Sequence, residues 1–332
     1  MTNINSMDKK IILTGIQPSG RSHIGSYLGY FKNAVKLQDA YVCNFLIADY
    51  HSITADYDPK IKKQQIFNLA VDMLAIGLDP KRSNIIIQSD IPQHFELAWI
   101  LSSVTPVNQL QRMTQFKDKS QNQPQNVNLG LFSYPVLQAA DIFIYKGQAV
   151  PIGKDQEQHL ELTRIIAKAF NAKFGKTFDE PQAILAEIPK VMSLLNPDKK
   201  MSKSLGDKHC IYMDESKDEI ANKLKSAVTD TGDGHSTGAN NLLMLLKAFN
   251  GEDEYKKFLK ARQSGNLKYS ELKEILSEKI SGYFEGFRQR KKELLSDPDY
   301  VLKVLENSTQ KARILAQKTL TEVRKKIGIY YR

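Results

Sequence analysis

Short apolar runs alternate with helical spacing over the first half of the chain. Ile11-Ile12-Leu13 is apolar and gives way at once to the punctuation of Gly15 to Pro18. Beyond that turn, Leu28, Phe31 and Val35 recur at i, i+3, i+7, which predicts a helix. Tyr41 to Ala48 (YVCNFLIA) is apolar almost throughout and predicts a buried strand. Over 61–77, Ile66, Leu69, Ala70, Met73 and Leu74 share one helical face, and Asp79-Pro80 closes the pattern. Ile85-Ile86-Ile87 predicts a third strand. Strand, helix, strand, helix, strand predicts βαβ units and a parallel sheet. Ligands of such sheets bind beyond the carboxyl ends of the strands, and the 14–26 turn lies at such an end.

The pattern then changes. Residues 117–130 (KDKSQNQPQNVNLG) are polar and Gln/Asn-rich, which predicts a mobile loop. Tyr134 to Tyr145 predicts a helix, Val150 to Gly153 leads into a turn, and Asp155 to Phe170 predicts another helix. Beyond about residue 212 strand signals vanish, while 218–228, 241–249, 253–262, 269–296 and 308–326 carry helical periodicity. The expected organisation is a catalytic α/β domain over 1–211 and a helical domain over 212–332, whose last helix is free to pack back on the first.

At 332 residues, with 41% apolar and 25% charged positions, the chain has room for two domains and an ordinary core. Lys and Arg outnumber Asp and Glu by 47 to 37, a net charge of +10 that favours a polyanionic partner. No apolar stretch is long enough to span a membrane, and the apolar run after Lys9-Lys10 is too short for a signal peptide. Two cysteines, Cys43 and Cys210, suggest a reducing cytoplasm, and no Cys/His spacing suggests a metal site.

Candidate chemistry concentrates in two segments. Lys200-Met201-Ser202-Lys203-Ser204 is a two-lysine loop suited to drawing charge off phosphate. Gln17 to Ser26 (QPSGRSHIGS) is a Pro/Gly/Ser turn that ends in His-x-Gly before a helix. Helix-terminal N–H groups and close backbone approach at Gly15, Gly20 and Gly25 suit a phosphate ligand. Taken alone, the first segment reads equally as a solvated basic loop and the second as a simple turn.

Together they resemble the two signature motifs of class I aminoacyl-tRNA synthetases. The chain is similar, over nearly its whole length, to the bacterial tryptophanyl members. GIQPSG at 15–20, ADYHSIT at 48–54, RMTQFKDK at 112–119, YPVLQAAD at 134–141 and VPIGKDQEQHLELTR at 150–164 carry the likeness. The resemblance implies a Rossmann-like doubly wound parallel sheet with a helical C-terminal domain reading the anticodon region. It implies ATP with Mg²⁺ bound through the phosphates, L-tryptophan, tRNA(Trp) and a homodimer in the cytoplasm. The nearest rival is the tyrosine-specific enzyme, which shares the Tyr134-x-x-x-Gln138-x-x-Asp141 spacing; a relative that binds nucleotide without ligating is the other.

Residue by residue, the resemblance assigns ATP contacts to Gln17, Pro18, Ser19, Gly25 and Ser26, where the family often has His or Asn at the last position. It assigns the adenylate turn to Gly153, Lys154 and Asp155, with Lys154 where the family is often acidic, and adenine packing to Val191. The loop residues Lys200, Met201, Ser202, Lys203 and Ser204 face the phosphates. His23, Lys200 and Lys203 are the catalytic candidates. Tyr134, Gln138, Asp141, Gln156, Gln17 and His51 surround the amino acid, Gln138 standing where Met is common. An indole has one polar handle, a donor-only N–H, for which the Asp141 carboxylate is a natural acceptor. For His51 a hydrogen-bonded core histidine is the commoner reading, while Asp155 reads equally as a helix cap and Lys117 and Lys119 as solvated cations.

Overall fold

The computed structural model describes residues 9–153, 156–185, 189–229 and 237–330. Five strands form one parallel sheet in the order β3-β2-β1-β4-β5. They are β1 (Ile11–Ile16), β2 (Val42–Ile47), β3 (Ser83–Ile87), β4 (Ala149–Ile152) and β5 (Gln182–Leu185). Ile12 pairs with Cys43, and Cys43 with Ser83, so the apolar runs lie side by side in register. The chain lays down β1 to β3 in one direction and then returns to add β4 and β5 on the other side of β1. The strand order therefore reverses between β1 and β4, the place where doubly wound sheets open a ligand crevice.

Neither β4 nor β5 has a sequence signal of its own. Pro151 interrupts the 149–152 run, and the β5 side chains are mostly solvent-facing, so no apolar alternation marks them. Both exist because the sheet offers them hydrogen-bonding partners, Ala149 opposite Ile12 and opposite Gln182. The expected loop at 117–130 is corrected more sharply. Thr114–Asn122 is a helix and Pro124–Asn126 a single 3₁₀ turn. Its polar sequence hides the helix, which is anchored by Phe116, edge-on to Phe132 at 5.2 Å, and by Thr114, whose N donates to Gln158 Oε1 at 2.9 Å. No Pro or Gly interrupts 114–122, and Pro124 starts the next turn.

Two further helices start where capping chemistry puts them. Asp58 accepts from Lys60 N at 2.9 Å and Pro59 occupies the first turn, so that helix runs Pro59–Ala75 rather than from 61. Asn128 accepts from Leu131 N at 2.8 Å and opens Leu129–Ile144.

Compactness divides the chain elsewhere than at residue 211. One unit comprises Met1–Gly20, Ala34–Glu187 and Asp297–Arg332; the other comprises Arg21–Asn33 and Ile188–Ser296. In the first unit the helix Pro298–Ile327 lies against the sheet, contributing Ala312, Ala316, Leu320 and Val323 to the core. Ser308 Oγ accepts from Ile85 N at 3.2 Å, so this helix also satisfies an N–H of edge strand β3. In the second unit the segment after His23 is helical and passes through a π turn at Tyr27–Phe31. Tyr27 there packs edge-on against Phe284 at 4.9 Å and Tyr283 at 5.5 Å. The helices Lys217–Lys225, Thr237–Ala248, Glu252–Gln263, Tyr269–Tyr283 and Glu285–Ser296 complete it, the expected 269–296 helix being broken at Phe284.

Candidate active site

A cavity of about 250 Å³ opens at the β1/β4 crossover of the first unit. Thr14 and Gly15 at the end of β1, and Val150 to Ile152 of β4, form its floor. The helix Leu129–Ile144 supplies Tyr134, Gln138 and Asp141, which fall on one face at i, i+4, i+7. Gln17, His51 and Gln156 join them, so all six residues expected around the amino acid line this one cavity.

Asp141 is 1% exposed and fully engaged. His51 Nε2 donates to Oδ2 at 2.8 Å, His94 Nδ1 to Oδ1 at 2.7 Å, and Gln88 Nε2 to both oxygens at 2.9 and 3.0 Å. Burial alone would raise the Asp141 carboxyl. The hydrogen bonds and electrostatic influence of His51 and His94 outweigh it and hold the group well below the usual carboxylate range. The two readings of His51 thus coincide: it is buried, hydrogen-bonded and part of the cavity wall. Tyr134 shares a 2.7 Å hydrogen bond with His159 Nε2, and burial pushes its phenol up to about 12.

Gln88, His94 and His159 have no counterpart among the sequence candidates. Gln88 directly follows β3, a carboxyl-terminal strand position where ligand-facing residues collect, and that is the one signal that marks it. His94 and His159 sit within helices and carry no local mark.

The lysine loop lies in the second unit, pinned at its base. Met201 N donates to Val191 O at 2.9 Å and Ser193 N to Lys199 O at 2.8 Å, closing a short hairpin. Asn241, from Thr237–Ala248, donates to Met192 O and accepts from Met192 N, at 2.9 and 3.0 Å. Val191 and Met201 are buried in this hairpin, whereas Lys200 and Ser204 are exposed and Lys203 half-buried. Gly206, at φ +111°, turns the chain between two 3₁₀ turns.

The His-x-Gly segment belongs to the same unit. His23 N donates to Ser26 Oγ at 3.1 Å, and Ser26 N donates to His23 Nδ1 at 3.3 Å. This reciprocal cap is what Ser26 does in place of a longer side chain. An accepting Nδ1 leaves the proton of the neutral ring on Nε2, which then faces outward as a donor. Burial first, then the positive charges of Lys203 and Lys200, push the His23 imidazole down to about 4. The two sequence motifs therefore act electrostatically on one another despite their separation along the chain. A side chain at Gly25 would meet the His23 ring at 2.9 Å, so the cap requires glycine there.

Of the other ATP candidates, Gln17 and Ser19 are exposed and Pro18 is buried, its carbonyl accepting from Lys62 Nζ at 3.2 Å. Gly153 accepts from Gln156 N at 3.0 Å, while Lys154 and Asp155 lie outside the described residues. Among the described residues no group of three or more His, Cys, Asp or Glu could hold a metal ion.

Comparison with known proteins places these features in context. The family model "tRNA synthetases class I (W and Y)" matches residues 6–285. A tryptophan–tRNA ligase of Wolinella succinogenes is 39% identical over 330 residues, spanning 97% of this chain and 100% of the relative. One from Caldanaerobacter subterraneus is 41% identical over 333 residues, spanning 97% and 99%. The crystal structure of tryptophanyl-tRNA synthetase from Campylobacter jejuni complexed with ADP and tryptophan superposes with a TM-score of 0.83 at 35% identity, over 96% of this chain and 99% of that one.

Proposed function

The chain belongs to the class I tRNA synthetase family of tryptophan and tyrosine enzymes, and from that premise we infer how its residues divide the labour of a tryptophan–tRNA ligase. It activates L-tryptophan with ATP and then passes the tryptophanyl group to the terminal ribose of tRNA(Trp). The observation that carries the choice of amino acid is the buried, ionised Asp141 in the cavity wall at the strand-order reversal. A carboxylate is a strong acceptor for a donor-only N–H.

Activation needs no general base. A carboxylate oxygen of tryptophan attacks the α-phosphorus, the bond from that phosphorus to the bridging oxygen breaks, and pyrophosphate leaves. Catalysis is then positioning plus stabilisation of charge on the departing group. In this reading His23 donates through Nε2–H to phosphate oxygen, and Lys200 and Lys203 stabilise the pyrophosphate. Gln17, Ser19, Gly25, Ser26 and residues 153–155 are assigned to the nucleotide, and Tyr134 and Gln156 to the α-amino group. Mg²⁺ would come with ATP and offset phosphate charge, without needing a dedicated protein site. Residues 212–296 take the anticodon region, and a homodimer is part of the proposal. In the first unit, Gln93–Ser102 exposes Phe95 (47%) and Trp99 (80%) one turn apart, apolar area that a second copy would cover.

ATP–pyrophosphate exchange tests the reading. Tryptophan is expected to support exchange and tyrosine to leave it at background. Exchange with tyrosine equal to or above that with tryptophan would overturn it.

A further inference from the structure

Asp141 is held by more donors than an isolated ligand acceptor needs. They come from three separate places: His51 after β2, Gln88 after β3, and His94 on Gln93–Ser102. Behind His94, the fully buried Tyr145 hydroxyl lies 2.7 Å from Nε2. Burial, and then the Asp141 charge, push the Tyr145 phenol well up, so it keeps its proton and donates it. That fixes the polarity of the chain: Tyr145 O–H to His94 Nε2, then His94 Nδ1–H to Asp141 Oδ1. A carboxylate offers about four lone-pair directions. Four hydrogen bonds from three donor nitrogens occupy them in this structure.

We propose that His94 and Gln88 are positioning residues that orient Asp141 and present its carboxylate in the cavity wall to the N–H of an indole. This rests on reading Asp141 as the tryptophan acceptor. His51 and His94 act on the carboxylate directly, and Tyr145 acts on it through His94. The site is therefore specified by residues that never touch the substrate. Removing a donor has two consequences. The carboxylate is free to turn, and desolvation is no longer offset, so the buried acid takes up a proton at higher pH.

The readout is tryptophan affinity, by equilibrium dialysis, between about pH 8 and about pH 5.5. Wild type is expected to bind equally across that range. His94→Leu is expected to bind about tenfold more weakly at the acid end than at the alkaline end, because a protonated Asp141 no longer accepts. His94→Asn places an amide N–H near the position of Nδ1 and is expected to restore the flat profile. Gln88→Leu removes a donor from a different segment and carries the same expectation as His94→Leu, so the collapse of one variant leaves the other to decide. A flat profile in both leucine variants, with Asp141→Asn still weakening tryptophan, would overturn the positioning roles alone. Undiminished tryptophan binding by Asp141→Asn would overturn the underlying reading of the site.

Discussion

A single neutral imidazole illustrates how residue-scale electrostatics shape this enzyme. His23 is desolvated and sits in the field of Lys203 and Lys200, which places its protonation near pH 4. Unfolded histidine protonates near pH 6.5. As pH falls from about 6.5 to about 4, the unfolded chain binds a proton that the folded chain refuses. The stability due to this group is therefore complete above about pH 6.5 and declines down to about pH 4. An NMR titration of the His23 ring is expected to show a midpoint near 4, moving upward in Lys200→Met/Lys203→Met. No movement in the double variant would mean the lysines do not act on it. The lysines carry their own expectation. Lys203→Ala should slow adenylate formation by about 2.7–4 kcal/mol, some hundredfold to thousandfold, while weakening ground-state ATP binding less. Lys200→Ala should act in the same direction and non-additively, since both serve one anion. Pre-steady-state kinetics separate the two effects, and equal losses in affinity and rate would make the loop a plain binding element.

At the scale of elements, Pro298–Ile327 matters most for stability. It buries Val301, Val304, Leu305, Leu320 and Val323 as well as its alanines. Five such side chains at about 1.5–3 kcal/mol each come to roughly 10 kcal/mol, comparable to the whole stability of a domain. Ending the chain at 297 is therefore expected to unfold the first unit, read as loss of the cooperative thermal transition by circular dichroism. Ser308→Ala is a gentler probe: it strands Ile85 N and should lower stability by about 1 kcal/mol in urea titration. Truncation near residue 212 would strip this cover as well as most of the helical unit. It cannot isolate anticodon reading, because any loss of charging would be confounded with loss of the sheet's support.

For the whole molecule, the question is which basic side chains meet tRNA. Of the cluster Arg288 to Lys292, Arg288 donates to Ser281 O at 2.8 Å and Lys291 pairs with Asp214 at 2.8 Å. Arg290 and Lys292 are exposed. Arg290→Glu/Lys292→Glu is expected to lower tRNA charging about tenfold at moderate salt and leave ATP–pyrophosphate exchange unchanged. Normal charging would remove this face from the RNA path. Trp99→Glu is expected to convert the proposed dimer into monomers in sedimentation equilibrium; an unaltered mass would place the interface elsewhere.

The sequence by itself determined the parallel βαβ order of the first three strands and, through the family resemblance, both signature motifs and six of the residues that line the cavity. Those signals are local: a periodic apolar face, a glycine where backbone must approach, a motif of fixed spacing. Tertiary structure alone decided what depends on distant partners. β4 and β5 are strands because neighbours pair with them, and Thr114–Asn122 is a helix because Phe116 finds Phe132. Arg21 to Asn33 joins the helical unit, although sequence order assigns it to the sheet. Whether a cation is solvated or tied down, as Arg288 and Lys291 are, leaves no trace in a charge run. Gln88 and His94 gather around Asp141 only because three chain segments converge there, and a lone buried donor has no periodicity to announce it.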